Sequence, residues 1–143
     1  PGWRLAVAST SAHASVQAVL RRAMGDELAD QFLVLAGDVV AAKKPDPAIY
    51  RLASEQLGVP AKQCLVIEDS RNGLLAAHQA AMPCLVTVSS FTGGEHFAEA
   101  ALVVSALGDP DGEACQVLAN RSAARPQTYI TFADLQAIVG AGG

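Results

Sequence analysis

Cys64-Leu65-Val66-Ile67-Glu68-Asp69-Ser70-Arg71-Asn72-Gly73 is the stretch that decides the fold. Four apolar residues give way at once to two carboxylates and a hydroxyl, and helical spacing then runs from Arg71 to about Ala81. The pattern predicts a strand that carries an acidic pair at its carboxyl end and feeds a helix. Its apolar residues are continuous rather than alternating, as in a parallel sheet covered on both faces.

The same unit repeats on either side. Upstream, Asp46 as N-cap and Pro47 at the first helical position open a helix with the stripe Ile49, Leu52, Ala53 and Leu57, stopped by Gly58 and Pro60. Before it, Phe32-Leu33-Val34-Leu35 predicts a strand closed by Gly37-Asp38. An earlier helix is marked by Val16, Val19, Leu20, Ala23 and Met24 on one face, with Gly25 ending it in the left-handed conformation. The first strand, Leu5-Ala6-Val7-Ala8, runs into Ser9-Thr10-Ser11. Downstream, Cys84 to Val88 and Ala101 to Val104 read as strands, Gly108 to Thr128 as loop, and Thr131 caps a last helix with Phe132, Leu135 and Ile138. Repeated strand–helix–strand units of this spacing predict an open, right-handed α/β layer structure in a single domain, residues 1–143.

Composition narrows the partners. The chain has 143 residues, 51% of them hydrophobic, and a net charge of −4. Disorder is excluded by the apolar content, and an acidic balance argues against nucleic acid, whose phosphates need a basic face. No apolar run reaches the length of a membrane span. Three cysteines without a Cys-x-x-Cys pair fit neither a disulfide framework nor a zinc site, and suggest a reducing, cytoplasmic setting. His13, His78 and His96 are too scattered for a metal triad. Trp3 and Phe91 could border a pocket, but packing or edge cover is the default reading.

Ligands of open α/β sheets bind outside the carboxyl ends of the strands. Ser9 and Thr10 offer a hydroxyl and backbone N–H groups there, Lys44 a positive charge from a restrained loop, and Glu68 with Asp69 a hard-oxygen site suited to Mg²⁺. Each has a plainer explanation: a helix cap for Ser9-Thr10-Ser11, a solvated pair for Lys43-Lys44, and capping with dipole compensation for Glu68-Asp69-Ser70. Together they describe a phosphoryl pocket.

Ser9-Thr10-Ser11 after an apolar strand, Lys44-Pro45-Asp46-Pro47, and Val66-Ile67-Glu68-Asp69-Ser70-Arg71-Asn72-Gly73 resemble motifs two, three and four of the haloacid dehalogenase superfamily. The Glu-Asp-Ser-x-x-Gly form of the last, and the tail from Gly94 to Leu135, are similar to its CbbY and β-phosphoglucomutase-like branch. The resemblance implies a Rossmann-like three-layer α/β/α core and Mg²⁺-dependent phosphoryl transfer or hydrolysis on small phosphorylated metabolites, of the sugar-phosphate phosphatase or phosphomutase type. By position, Ser9 would hydrogen-bond the phosphoryl group with the Thr10 N–H assisting, and Lys44 would neutralise its oxygens and the nucleophilic carboxylate. Asp69 would ligate Mg²⁺, Glu68 would ligate it or orient its waters, and Ser70 and Asn72 would support the loop.

The family also uses a first motif, Asp-x-Asp-Gly-Thr, whose first Asp is phosphorylated, and a cap domain; both would precede Pro1. Without that nucleophile the chain as written is expected not to turn over. The resemblance places the missing central strand between the strands ending at Ser9 and at Glu68, so an N-terminal segment or a second chain is expected to fill that slot, since open strand edges are a pairing hazard. Asp109-Pro110-Asp111-Gly112-Glu113 carries Asp-x-Asp-Gly, but Pro110 removes a donor and Glu113 stands where Thr is required, so it reads as an acidic turn. Two alternatives of other classes stand beside this reading. One is a phosphoryl-responsive binding module similar to a receiver domain, though there the acidic pair precedes the Ser/Thr and Lys-Pro. The other is a non-catalytic interaction protein that keeps the fold.

Overall fold

The computed structural model describes residues 3–37, 39–88 and 96–141. Asp38 and Phe91 lie outside them. In chain order the elements are β1 (Leu5–Ala8), α1 (His13–Met24), α2 (Asp26–Ala29), β2 (Phe32–Leu35), α3 (Ala48–Leu57), β3 (Val66–Glu68), α4 (Arg71–Gln79), β4 (Cys84–Thr87), β5 (Leu102–Val104), β6 (Val117–Asn120) and α5 (Phe132–Ala141). Among the described residues the strands form two sheets, β1-β2 and β3-β4-β5-β6. All pairings are parallel except the last, where β6 runs antiparallel to β5.

Side-chain alternation explains the uninterrupted apolar strands. Cys84, Val86 and Val103 point into a core built with Leu74, Ala76 and Ala77 of α4 and Ile49, Tyr50 and Ala53 of α3. Leu85, Leu102 and Val104 point the other way, onto Ile138 of α5. In the smaller sheet, Leu33 and Leu35 join the α3–α4 core, while Phe32 and Val34 pack with Val16 and Leu20 of α1. Every second residue thus finds an apolar layer on its own side, which is the three-layer α/β arrangement.

Several local expectations are corrected. The seam of α1 is Val16, Leu20 and Met24, one residue every four; Val19 is 67% exposed, because a four-residue helix and a two-stranded sheet cover only a narrow stripe. Gly25 ends α1 at φ 83°, ψ 166°, which is positive φ but not left-handed helix. Pro47 rather than Asp46 is the N-cap of α3, although Asp46 Oδ1 accepts the Ala48 N–H at 2.9 Å and so satisfies a terminal donor. Within the presumed loop 108–128, β6 forms an edge strand; its Val117 and Leu118 face outward, so burial left no run to read. Gly58 in the left-handed region closes α3, and Thr131 caps α5 by accepting the Asp134 N–H at 3.2 Å.

β1 and β3 do not pair with each other among the described residues. Between them lies a cleft of about 630 Å³, walled by Ala6, Val7 and Ala8 on one side and by Val66, Ile67 and Glu68 on the other. Ile67 is 48% exposed as a result.

Candidate active site

The two sheets meet at one amine. Lys44 Nζ donates to the Ala8 carbonyl, at the carboxyl end of β1, at 3.2 Å, and to Glu68 Oε2, at the carboxyl end of β3, at 2.8 Å. Residues 36 and 24 positions away along the chain are thereby brought to one point. The Lys44 and Glu68 side chains are only 17% and 12% exposed. Lys43, in contrast, is exposed, so the two lysines are not an equivalent solvated pair. The Lys44–Pro45 peptide is cis.

An ammonium has three donors, and two are occupied here. Ser9 follows Ala8 directly. Its N–H donates to the Leu35 carbonyl at 2.9 Å, which extends the β1–β2 pairing by one residue, and its Oγ accepts the Ser11 N–H at 3.1 Å. The hydroxyl proton of Ser9 is left to donate. Thr10 lies exposed at the turn. The Ser11 carbonyl accepts from Gly37, at φ 65°, so the loop after β2 braces the turn after β1.

On the other wall the two acids divide. Glu68 folds back beneath α4: its Oε2 receives Lys44 and also the Tyr50 hydroxyl, at 2.8 and 2.7 Å. A Cβ built on Gly73 would collide with its carboxyl group, so the glycine makes the room that this carboxylate occupies. Asp69 is exposed beyond the strand end, and no described side chain donates to it. Ser70 caps α4 by accepting the Gly73 N–H at 3.1 Å, fixing the turn that presents Asp69; Asn72 is exposed on the first turn of α4.

The site alters its neighbours. Burial first, then the charge of Glu68, pushes the Tyr50 phenol well above its ordinary range. The Cys84 thiol on β4 is pushed up to about 12, again by burial and then by Glu68, with Lys44 opposing. Both groups therefore stay protonated at neutral pH.

Tyr50 is the residue that sequence reasoning missed. Its neighbours Ile49, Leu52 and Ala53 defined the apolar stripe, but Tyr50 itself is 7% exposed and part of the core. A signal existed: it lies four residues after Asp46 and one after Ile49, on the face that α3 turns to the sheet, where a buried phenol needs a partner.

A Mg²⁺ ion with one or two protein carboxylates, waters and phosphate oxygens is the mode the donors suit. Asp69 offers an exposed hard oxygen, whereas Glu68 Oε2 is already shared by two donors. No group of three or more His, Cys, Asp or Glu side chains assembles into a cage among the described residues, and the histidines do not converge. The acidic segment is a self-contained turn, with Asp111 and Gly112 N–H groups donating to Asp109 and the Asp109 N–H donating to the Glu113 carbonyl. Trp3 does both things the sequence allowed: it packs edge-on against Phe132 at 5.2 Å between centroids, and it borders the cleft between β1 and β3. No helix is long and apolar enough to cross a membrane among the described residues.

With this geometry in view, comparison with known proteins is informative. Residues 1–81 match the family described as haloacid dehalogenase-like hydrolase. A CBBY-like protein of Arabidopsis thaliana is 48% identical over 112 residues, covering 78% of this chain and 35% of that protein. The crystal structure of CbbY from Rhodobacter sphaeroides in complex with phosphate superimposes with a TM-score of 0.70 at 42% identity, over 73% of this chain and 47% of that one. A crystal structure of a mutant of the same CbbY, in complex with xylulose-(1,5)bisphosphate, has the same TM-score of 0.70. The chain spans between about a third and a half of the length of these relatives, 35% and 47%.

Proposed function

From the premise that this chain belongs to the haloacid dehalogenase-like hydrolases, we propose that it carries the phosphoryl-binding side of a Mg²⁺-dependent phosphatase or phosphomutase for small phosphorylated metabolites, sugar phosphates in particular. The observation that carries the proposal is the Lys44 ammonium held between Ala8 O and Glu68 Oε2, with Ser9 on one flank and Asp69 on the other. The phosphate and the sugar bisphosphate held by the R. sphaeroides relative are of the class such a pocket would take.

Each residue then has a task. The Ser9 hydroxyl and the Thr10 N–H donate to phosphoryl oxygens, and the remaining proton of Lys44 does the same while its charge offsets theirs. Asp69 would hold Mg²⁺, whose chemistry there would be Lewis-acid polarisation of a phosphoryl oxygen. Glu68 fixes Lys44 and is available to that ion's water shell. Ser70 holds the Asp69 turn through its cap, and Asn72 stands beside it.

Turnover by this chain alone forms no part of the proposal. A carboxylate attacking phosphorus must face the site unengaged, and Glu68 is committed to two donors. An extended segment, from elsewhere in the protein or from a second chain, would supply the missing group by lying in the cleft between β1 and β3. Both walls present strand edges, and their carboxyl ends meet at Lys44, which suits a strand parallel to both. A cytoplasmic setting accords with the three free thiols, Cys64, Cys84 and Cys115.

Calorimetric titration of the chain with inorganic phosphate and Mg²⁺ tests the site. Binding should weaken at least tenfold in Lys44→Ala, and its Mg²⁺ dependence should vanish in Asp69→Asn. Phosphate binding indifferent to both substitutions would leave a non-catalytic interaction role, or a receiver-like module, as the better account. For the cleft, native mass measurement should reveal a co-purifying peptide or a second copy; one monomeric, cooperatively folding species argues against an occupant.

A further inference from the structure

Tyr50 touches both halves of the ion pair on which the site depends. Its hydroxyl donates to Glu68 Oε2 at 2.7 Å, the same oxygen that accepts Lys44 at 2.8 Å. Its ring lies under the Lys44 ammonium, 5.0 Å from centroid to nitrogen. The ring is held in turn by the core that α3 and α4 share, where Tyr50 packs with Ile49, Ala53 and Leu74.

We infer that Tyr50 is a positioning residue for the phosphoryl-binding amine: it sets where Lys44 Nζ stands by seating the cation on its ring face and by holding in place the Glu68 oxygen with which the amine pairs. The inference rests on the phosphoryl-site reading above and adds to it a residue that holds the geometry without touching substrate. A lysine is a compact charge on a four-carbon stem with several rotors, and it has no preferred place without such contacts. Ala8 O alone would tether it at one point. The ring face adds a second, attractive to a cation, and removes positions that a smaller side chain would open. The hydroxyl adds a third effect. It fixes the carboxylate oxygen that pairs with Lys44, so that the counter-ion cannot turn away from the amine. Gly73 completes the seat, because only a residue without Cβ lets Glu68 reach both partners.

Two substitutions separate ring from hydroxyl. Tyr50→Phe keeps the face under Lys44 and removes the hydrogen bond; Tyr50→Leu removes both. The chain has three lysines, Lys43, Lys44 and Lys62, so ¹⁵N-lysine amine spectra are simple to assign with Lys44→Ala as reference. The Lys44 amine should be shifted upfield by the ring and slow to exchange. Tyr50→Phe should keep the shift, exchange faster and bind inorganic phosphate with Mg²⁺ about five- to tenfold more weakly, the scale of one ordinary hydrogen bond. Tyr50→Leu should lose the shift and bind more weakly still. A thermal midpoint for Tyr50→Phe within a few degrees of the unaltered chain distinguishes positioning from a fold defect. If the Lys44 signal is unshifted in the unaltered chain, or identical in Tyr50→Leu, the positioning role is overturned. If the spectra behave as stated while the unaltered chain binds no phosphate, the clamp stands and the phosphoryl reading of the site fails instead.

Discussion

The β3–β6 sheet and the β1–β2 sheet are built from similar residues but differ in how far they are enclosed. In the first, Leu85, Val86, Leu102 and Val104 have no exposed surface. In the second, no residue of β1 is fully buried, and of β2 only Leu35 is. One wing has helices on both faces and neighbours on both edges of its middle strands. The other is two strands wide, and the edge of β1 opens on the cleft. The groups proposed to bind Mg²⁺ and phosphate stand where the two wings meet, so a firm wing holds Glu68 and Asp69 while a looser one holds Ser9. The site's geometry is therefore only as well defined as the loose wing, and Lys44 is the described side chain that ties the two strand ends together.

The largest effect should break the contrast outright. Leu85→Ala removes a side chain that is wholly enclosed, and a loss of about 3 kcal/mol is expected, within the range for large-to-small changes where the surroundings cannot collapse. Val7→Ala, on the half-buried wall of the cleft, should cost about 1 kcal/mol or less. Urea unfolding of both variants measures the difference; equal losses would mean that the two wings are equally enclosed in solution.

Next comes a change that separates site from fold. Gly73→Ala gains roughly 1 kcal/mol of helix propensity in α4, but the new methyl group displaces the Glu68 carboxylate. That carboxylate is the far end of a flexible side chain, so the fold should tolerate its departure, with a net stability change within about 1 kcal/mol. Lys44 and Tyr50 would lose their common acceptor, and phosphate affinity should fall with little change in the unfolding midpoint. A variant that binds phosphate as before would show that Glu68 does not govern the amine.

How much of this was legible in the sequence follows the same division. The strand–helix alternation through β4 could be read because those strands carry apolar side chains on both faces, which leaves continuous apolar runs even where one edge is open, and because Asp46, Gly58 and Ser70 stand at helix ends. The convergence of Lys44 with Glu68 was readable as chemistry placed at strand ends. What could not be read is where interactions are local to the fold. Val19 has helical periodicity but nothing to pack against; β6 is paired by backbone groups along an exposed edge, which residue type does not encode. The separation of Glu68 from Asp69 is decided by Gly73 and Tyr50, neither adjacent to Glu68, and two consecutive acids look equivalent until a fold turns one inward.

The smallest expected effect lies just beyond the site. Arg71, the first residue of α4, grips Glu99 through both guanidinium nitrogens at 3.1 Å and donates to the His96 carbonyl at 2.7 Å. This pins the segment before β5 to the same helix whose cap presents Asp69. The side chains are 36% and 23% exposed, so solvent screens the pair, and its worth should stay below about 1 kcal/mol. The hydrogen bond from Arg71, and then the backbone contact of Glu99, hold the Glu99 carboxyl below its ordinary 4.5. A carboxyl with a lowered folded pKa favours the fold above the unfolded value, and that favour is lost as pH falls through the folded one. Unfolding midpoints should therefore decline below pH 4.5, and Glu99→Gln should flatten part of that decline while leaving stability at pH 7 slightly lower. High salt should shrink the difference between the two proteins, as it does for any pair reached by solvent. The Lys44–Glu68 contact, at about half that exposure, should respond to salt less. If added salt weakened both contacts alike, the enclosure that distinguishes the site from the surface beside it would have to be abandoned.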